Sequence, residues 1–308
     1  MSALAHVGAA DQKTPVVEDN PRRRRLTPYW LLLPGLAWLT IFFVIPMLFL
    51  ASQSLQTGSL DQGYALTWHV QTYVDALKNY YPQFVRSLGY AGCATIFALV
   101  IAYPLAYAIA FKSGRWKNIL LVLVIAPFFT SFLIRTLAWQ TILTDGGPVV
   151  SFFRHTGLMS VLRGLHLTNN DSLLASKFAV IAGLTYNFLP FMTLPLYASL
   201  ERVDPRLHEA ASDLYAKPFT GFRRVTVPLS MPGVVAGTLL TFIPAAGDYI
   251  NSKLLGNTNT AMIGQVIDGQ FLRVLDYPTA AALSFLLMLI ILVIVLVYVR
   301  RAGTEELV

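Results

Sequence analysis

Two ionisable side chains lie deep inside apolar segments, Arg135 within residues 118–144 and Asp248 within residues 233–252. A charge at the centre of a bilayer costs at least ~2.5–3.5 kcal/mol on insertion scales, so such residues are by default functional candidates. At ~1.5 Å rise per residue on unkinked helices, Arg135 stands about 26 Å from Asn118 and Asp248 about 23 Å from Gly233, a shared level. Two chemistries are open. The two residues can form a structural ion pair, or Asp248 can line a pathway and meet an ammonium group, with Tyr249, Trp139 and Tyr186 offering cation–π faces and Arg135 beside them. Pro244 and Gly247 interrupt the segment that carries Asp248. Irregular backbone at membrane depth is tolerated where it lines a cavity or packs on protein, which favours the pathway reading. The histidines His6, His69, His155, His166 and His208 have no metal-ligand spacing, and Cys93 is the only cysteine. Neither an intrachain disulfide nor a metal site is expected.

The elements that must position these groups follow from composition. The chain has 308 residues, 55% hydrophobic and 13% charged, with a mean hydropathy of +0.58. Such a balance excludes a conventional soluble enzyme, a disordered scaffold and a disulfide-rich secreted module. Six segments are long and apolar enough to span a bilayer, at 28–54, 83–111, 118–144, 174–199, 233–252 and 279–299. With the N-terminus inside, fifteen Lys and Arg fall on the inner side and seven on the outer, leaving Arg135 within a span. By the positive-inside rule both termini are then cytoplasmic. The net charge of +7 is thereby a topology signal, and no nucleic-acid partner is expected. Residues 1–26 read as a disordered cytoplasmic tail ending in the Arg22–Arg25 cluster, 27–302 as the membrane domain and 303–308 as a second short tail. The first span is expected to be a retained anchor. Residues 68–77 are read as a short amphipathic helix at the outer interface, and Gly89, Gly92 and Gly183 as close helix contacts.

Residues 200–232 form the longest inner connection. Asp204-Pro205 provides a helix start, and Leu207, Ala210, Ala211 and Leu214 recur at helical spacing beside Arg206, Glu209 and Asp213. Pro218 interrupts the pattern, a second segment runs from Phe219 to Val227, and Pro232 precedes the next span. Two short helices with a bend between them are a shape that a partner's groove can hold.

This loop resembles that of importer-type ABC transporter permeases, whose pattern is E-A-A, three residues, G, nine residues, I-x-L-P. Glu209-Ala210-Ala211, position 215 and Val225-Thr226-Val227-Pro228 fall on it with every gap correct. Tyr215 stands where the family usually has glycine. If that glycine serves a bend with positive φ, tyrosine is a poor substitute. The resemblance narrows to the polyamine branch through three stretches. They are the run Pro127 to Trp139, which fits P-F-x-x-S-x-x-x-R-x-x-A-W, the run Asn187 to Tyr197, and Phe242 to Tyr249 with Leu254-Leu255-Gly256 and Met262-Ile263-Gly264.

The resemblance implies an all-α membrane protein with the importer-type ABC permease fold, acting as the permease subunit of a polyamine importer for spermidine or putrescine. The coupling role passes to Glu209, Ala210 and Ala211 and to the segment Tyr215, Ala216, Lys217, Pro218, Phe219, Thr220, Gly221 and Phe222. It also implies two ATP-binding subunits, a second permease subunit, an extracytoplasmic substrate-binding protein and a small cationic substrate. The chain has no Gly-Lys dipeptide and hence no P-loop of the form G-x-x-x-x-G-K-[ST]. ATP and Mg are therefore expected on the partner ATPase, with no cofactor on this chain and no enzyme activity of its own. Another small solute in the same architecture is the alternative cargo, and a secondary transporter the alternative class.

Overall fold

The computed structural model describes residues 27–59, 61–168, 172–204 and 206–302. The expected tails at 1–26 and 303–308 lie outside the described residues. The chain divides into two compact units, residues 1–50 and 51–308. The first unit holds most of helix α1 (Tyr29–Ser54), which contains a π turn at Thr40–Val44. Its large apolar side chains are exposed, Trp30 by 70% and Leu31 by 77%. A helix that is apolar on every side suits lipid or a large core, and not water.

In the second unit, strands β1 (Gln56–Ser59) and β2 (Gly63–Leu66) form an antiparallel hairpin pairing Gln56 with Leu66. Helix α2 (Gln71–Lys112) then runs without a break for 42 residues. This corrects the expected separate amphipathic helix at 68–77, because residues 71–77 form the first turns of α2 and 68–70 precede it, with Trp68 at φ +54°. Burial explains the continuity through Pro82. Ala76 and Phe84, with Tyr73 and Tyr80, form one face that packs on Ile263, Leu283 and Leu287. Farther along, Ala91, Ala94, Ala98, Ala102 and Ala106 are all fully buried at helical spacing. Small residues let helix backbones approach closely, and this stripe is the seam of α2. Gly89 and Gly92, expected to play that part, have open space where a Cβ would stand, so the alanines correct that assignment.

The third apolar segment is not straight. Helix α3 (Gly114–Phe129) and helix α4 (Phe132–Leu143) meet at 95°. Pro127 lies in the closing 3-10 turn, and Thr130 and Ser131 are extended with ψ 146° and 138°, which ends one helix and starts the next. The height assigned to Arg135 on an unkinked helix therefore does not hold. Two short helices, α5 (Pro148–His155) and α6 (Leu158–Gly164), lead on to α7 (Lys177–Glu201), whose N-cap Ser176 accepts a hydrogen bond from Ala179 N–H at 3.2 Å.

Helix α8 (Arg206–Asp213) is followed by α9 (Pro218–Leu229) and α10 (Met231–Ala246), which meet at 60°. The expected fifth span, 233–252, is thus shortened at its far end. Helix α10 stops before Gly247, and α11 (Ile250–Leu255), α12 (Ile263–Gly269) and α13 (Tyr277–Ala302) complete the unit. The start of the α2 seam packs with Val180 and Leu184, and its end with Leu196 and Leu200, so α2 and α7 run parallel. Gly237 meets Met192 while Gly233 lies against Pro195 and Leu196, which makes α10 antiparallel to α7. Four described helices are long and apolar enough to cross a membrane, or six spans result if each bent pair counts as one.

Candidate functional site

The loop after α7 is built by local rules. The Asp204 carboxylate accepts the Arg206 N–H at 2.9 Å and starts α8. At the other end, Tyr215 adopts φ +57°. Ala216 N–H donates to Ala211 O at 3.0 Å and Tyr215 N–H to Ser212 O at 2.9 Å. This is a Schellman closure with its left-handed residue at position 215. The bend that glycine favours is therefore present, held by a tyrosine whose side chain is 96% exposed. Lys217 is extended and Pro218 occupies the first turn of α9, where a missing N–H costs nothing.

Within this loop the expected coupling residues separate into two sets. Glu209, Ala210, Lys217, Pro218 and Phe219 are exposed. Ala211 and Ala216 are half-buried and Gly221 is buried; a Cβ at Gly221 would stand 4.0 Å from that of Ala211. The small size of Ala211 thus serves the packing of α8 on α9. A concave surface of about 640 Å³ lined by Phe219, Thr220, Arg223, Arg224 and Pro228 lies beside the outward set. Phe222 turns inward, edge-on to Tyr103 at 5.8 Å and to Tyr107 at 5.7 Å between centroids. Tyr103 and Tyr107 were not legible from the loop motif, since they lie on α2, far away in sequence. Lys117 and Glu201, which pair at 2.5 Å and join the start of α3 to the end of α7, were equally hidden.

The second candidate region centres on Asp248, which is 9% exposed. Its carboxylate accepts the Asn251 N–H at 2.8 Å and so caps α11. Asn187 donates through Nδ2 to Asn251 Oδ1 at 3.1 Å and to Thr136 Oγ1 at 3.3 Å. This chain of bonds links α4, α7 and α11 at one junction. Arg135, next to Thr136, forms no ion pair with Asp248. Its Nε and Nη1 are buried without hydrogen-bond partners, and its guanidinium lies 5.6 Å from the Phe132 ring centre. The structural ion-pair alternative is therefore not realised here.

Trp139 and Tyr186 do come together, with ring centroids 5.5 Å apart. Tyr249 is 41% exposed, and Lys253 Nζ stands 5.8 Å from its ring centre while pairing with Asp268 at 2.9 Å. Gly264 is indispensable to this arrangement, because a Cβ there would meet Gly247 O at 2.3 Å. Ser252 adds two bonds across the same contact. It donates to Gln265 Oε1 at 2.7 Å and accepts from Met262 N–H at 2.9 Å. Asn187, Asn251, Ser252 and Thr136 were missed as network members, although Asn187 and the Met262-Ile263-Gly264 run fall inside stretches that carry the resemblance.

Residues 24–302 match the family described as binding-protein-dependent transport system inner membrane component. The chain belongs to this family. It is accordingly a multi-pass membrane protein and a transport permease subunit. Among curated relatives of this permease, it is 36% identical over 265 residues to the spermidine/putrescine transport system permease protein PotB of Haemophilus influenzae, covering 86% of this chain and 90% of that protein. It is 35% identical to the Escherichia coli protein of the same name over 85% of this chain and 93% of that one. The inner membrane ABC transporter permease protein YdcU of E. coli is 33% identical over 73% of each chain. Among solved structures, a chain of the bacterial alginate ABC transporter in complex with an alginate-pentasaccharide-bound periplasmic protein superposes with TM-score 0.66 at 20% identity. That match covers 92% of this permease and 96% of the other chain, and it establishes the fold alone.

Proposed function

We propose that this chain is the membrane-spanning subunit of an ATP-driven importer for polyamines, with spermidine and putrescine as the substrate class. The observation that carries the reading is the 36% identity to a spermidine/putrescine permease across 86% of the chain. In this reading each bent helix pair is one crossing, so the protein has six spans with both termini cytoplasmic. The parallel run of α2 and α7, the antiparallel run of α10 and the excess of inner cations support that topology.

The loop from Asp204 to Leu229 then faces the cytoplasm, where Glu209 and Phe219 present charge and apolar surface to an ATP-binding subunit. A complete transporter has two such subunits, which bind ATP and Mg, a second permease and an extracytoplasmic substrate-binding protein. ATP-driven closure draws the coupling loops together and opens the path outward, and hydrolysis resets it. The loaded binding protein favours the state for which it has the higher affinity. Asp248 meets a substrate ammonium at the junction, and the Trp139–Tyr186 pair and Tyr249 offer cation–π faces along the path. Arg135, whose buried N–H groups lack partners in this conformation, acquires them in another.

The reading is tested by uptake of labelled spermidine in cells that lack their own polyamine importers and express this chain with its partner subunits. Saturable, ATP-dependent uptake is expected. An assembled complex that takes up neither spermidine nor putrescine would discard the substrate class.

A further inference from the structure

An aromatic cluster packs the coupling loop against α2. Phe222 opens a π turn, Phe222–Thr226, and its ring lies edge-on between Tyr103 and Tyr107, at 89° and 84° to their planes. Tyr103 also reaches Ser230 Oγ at 2.8 Å. Ser230 Oγ donates to Val227 O at 3.0 Å, so the tyrosine hydroxyl is the donor in the first bond. Ser230 is fully buried and sits in the 60° bend between α9 and α10. One tyrosine therefore holds both the loop and the bend.

We propose that Tyr103, Tyr107 and Ser230 are positioning residues that convert displacement of the coupling loop into movement at the Asp248 junction. The proposal rests on the reading of this loop as the ATPase contact. Two rigid elements lead from the clamp to the junction. Helix α2 carries Tyr103 and Tyr107, and nearer its start Tyr90, Ala91 and Ala94 pack in one cluster with Ala245, Ala246 and Met262, the residues flanking Gly247-Asp248 and Gly264. Helix α10 begins directly after Ser230 and ends at Ala246. Packed interiors transmit displacement because they have little compressibility, and π turns recur at functional positions within helices. A push on Phe222 thus reaches the junction along α2 and α10 together.

The decisive readout is spermidine accumulated per ATP hydrolysed, measured on the complete complex in proteoliposomes with binding protein outside. A merely structural role changes the amount of complex and leaves that ratio alone. Tyr103→Phe removes the Tyr103–Ser230 bond while keeping the packing and is expected to lower the ratio by about threefold, the scale of one buried hydrogen bond. Ser230→Ala removes that bond and the Ser230–Val227 bond and should lower it at least as much. The double variant should be no worse than Ser230→Ala alone. Phe222→Leu should lower the ratio further, and if it fails to assemble, the Tyr103 and Ser230 variants decide. Wild-type ratios in Tyr103→Phe and Ser230→Ala, with ATPase docking weakened on Glu209→Ala, would overturn the clamp alone. Full docking of the ATPase on Glu209→Ala would overturn the coupling-loop reading and the clamp with it.

Discussion

The proposed coupling loop and the Asp248 junction both lie beside a helix break, yet they are built in opposite ways. In the loop the conspicuous residues point outward, with Glu209 and Phe219 exposed, and the backbone is closed by contacts spanning a few residues. At the junction the polar side chains of Asn187 and Asn251 are 2% and 0% exposed, and their partners come from three separate helices. As a proposed partner surface, this loop displays its residues on one short stretch of chain, whereas the interior polar network draws its members from α4, α7 and α11. The loop should therefore tolerate substitution in stability and fail in partnership, and the junction should do the reverse.

The largest expected effect tests the junction's intolerance. Gly264→Val places side-chain atoms on the Gly247 carbonyl, where even a Cβ would approach to 2.3 Å. We expect a loss on the order of 3 kcal/mol or more in unfolding stability, read as loss of folded protein in detergent. Gly221→Ala, whose added Cβ meets only Ala211 at 4.0 Å, is the matched loop control and should fold normally. Next in size, Glu209→Ala should weaken ATPase docking by roughly 10- to 100-fold, the scale of a charge-assisted hydrogen bond, with insertion and thermal stability unchanged. Titration of the purified permease pair with its ATPase subunit measures it, and unchanged affinity would erase the functional half of the contrast.

Asp248→Asn separates structure from transport at the junction. Its side-chain oxygen can still accept the Asn251 N–H, so stability should shift by less than about 1 kcal/mol, while uptake of a cationic substrate falls. Equal loss of uptake for a neutral solute, or none at all, would leave Asp248 as a cap only. The smallest effect belongs to Tyr215→Gly. Relief of a left-handed tyrosine at φ +57° should stabilise the loop by up to about 1 kcal/mol, seen as slower exchange of the amides at positions 215 and 216.

The contrast also explains which features were legible in the sequence. Apolar runs outlined α1, α7 and α13 to within a few residues, because a long uninterrupted stretch has one simple physical solution. The loop motif led to Glu209 and Tyr215 because its spacing is local. Even the left-handed turn at Tyr215 was foreshadowed by the glycine that usually stands there in importer-type permeases. The 95° bend at Thr130 and Ser131 was not read, since Pro127 lies four residues before Ser131 and the flanking residues are as apolar as a straight span requires. Gly89 and Gly92 drew attention for their small size, but the seam of α2 is formed by Ala91, Ala94 and Ala98 on a neighbouring face. The bond from Asn187 to Asn251 joins residues 64 positions apart, a pairing that only the packed helices define.

The most direct test of the central claim is spermidine accumulation in proteoliposomes containing the full complex, with ATP inside the ATPase-facing compartment and loaded binding protein on the other side. Wild type should accumulate spermidine only when ATP is hydrolysed, and Asp248→Asn at equal density should accumulate less. Vigorous ATP hydrolysis by the wild-type complex, stimulated by its binding protein but accompanied by no movement of spermidine or putrescine, would contradict the account.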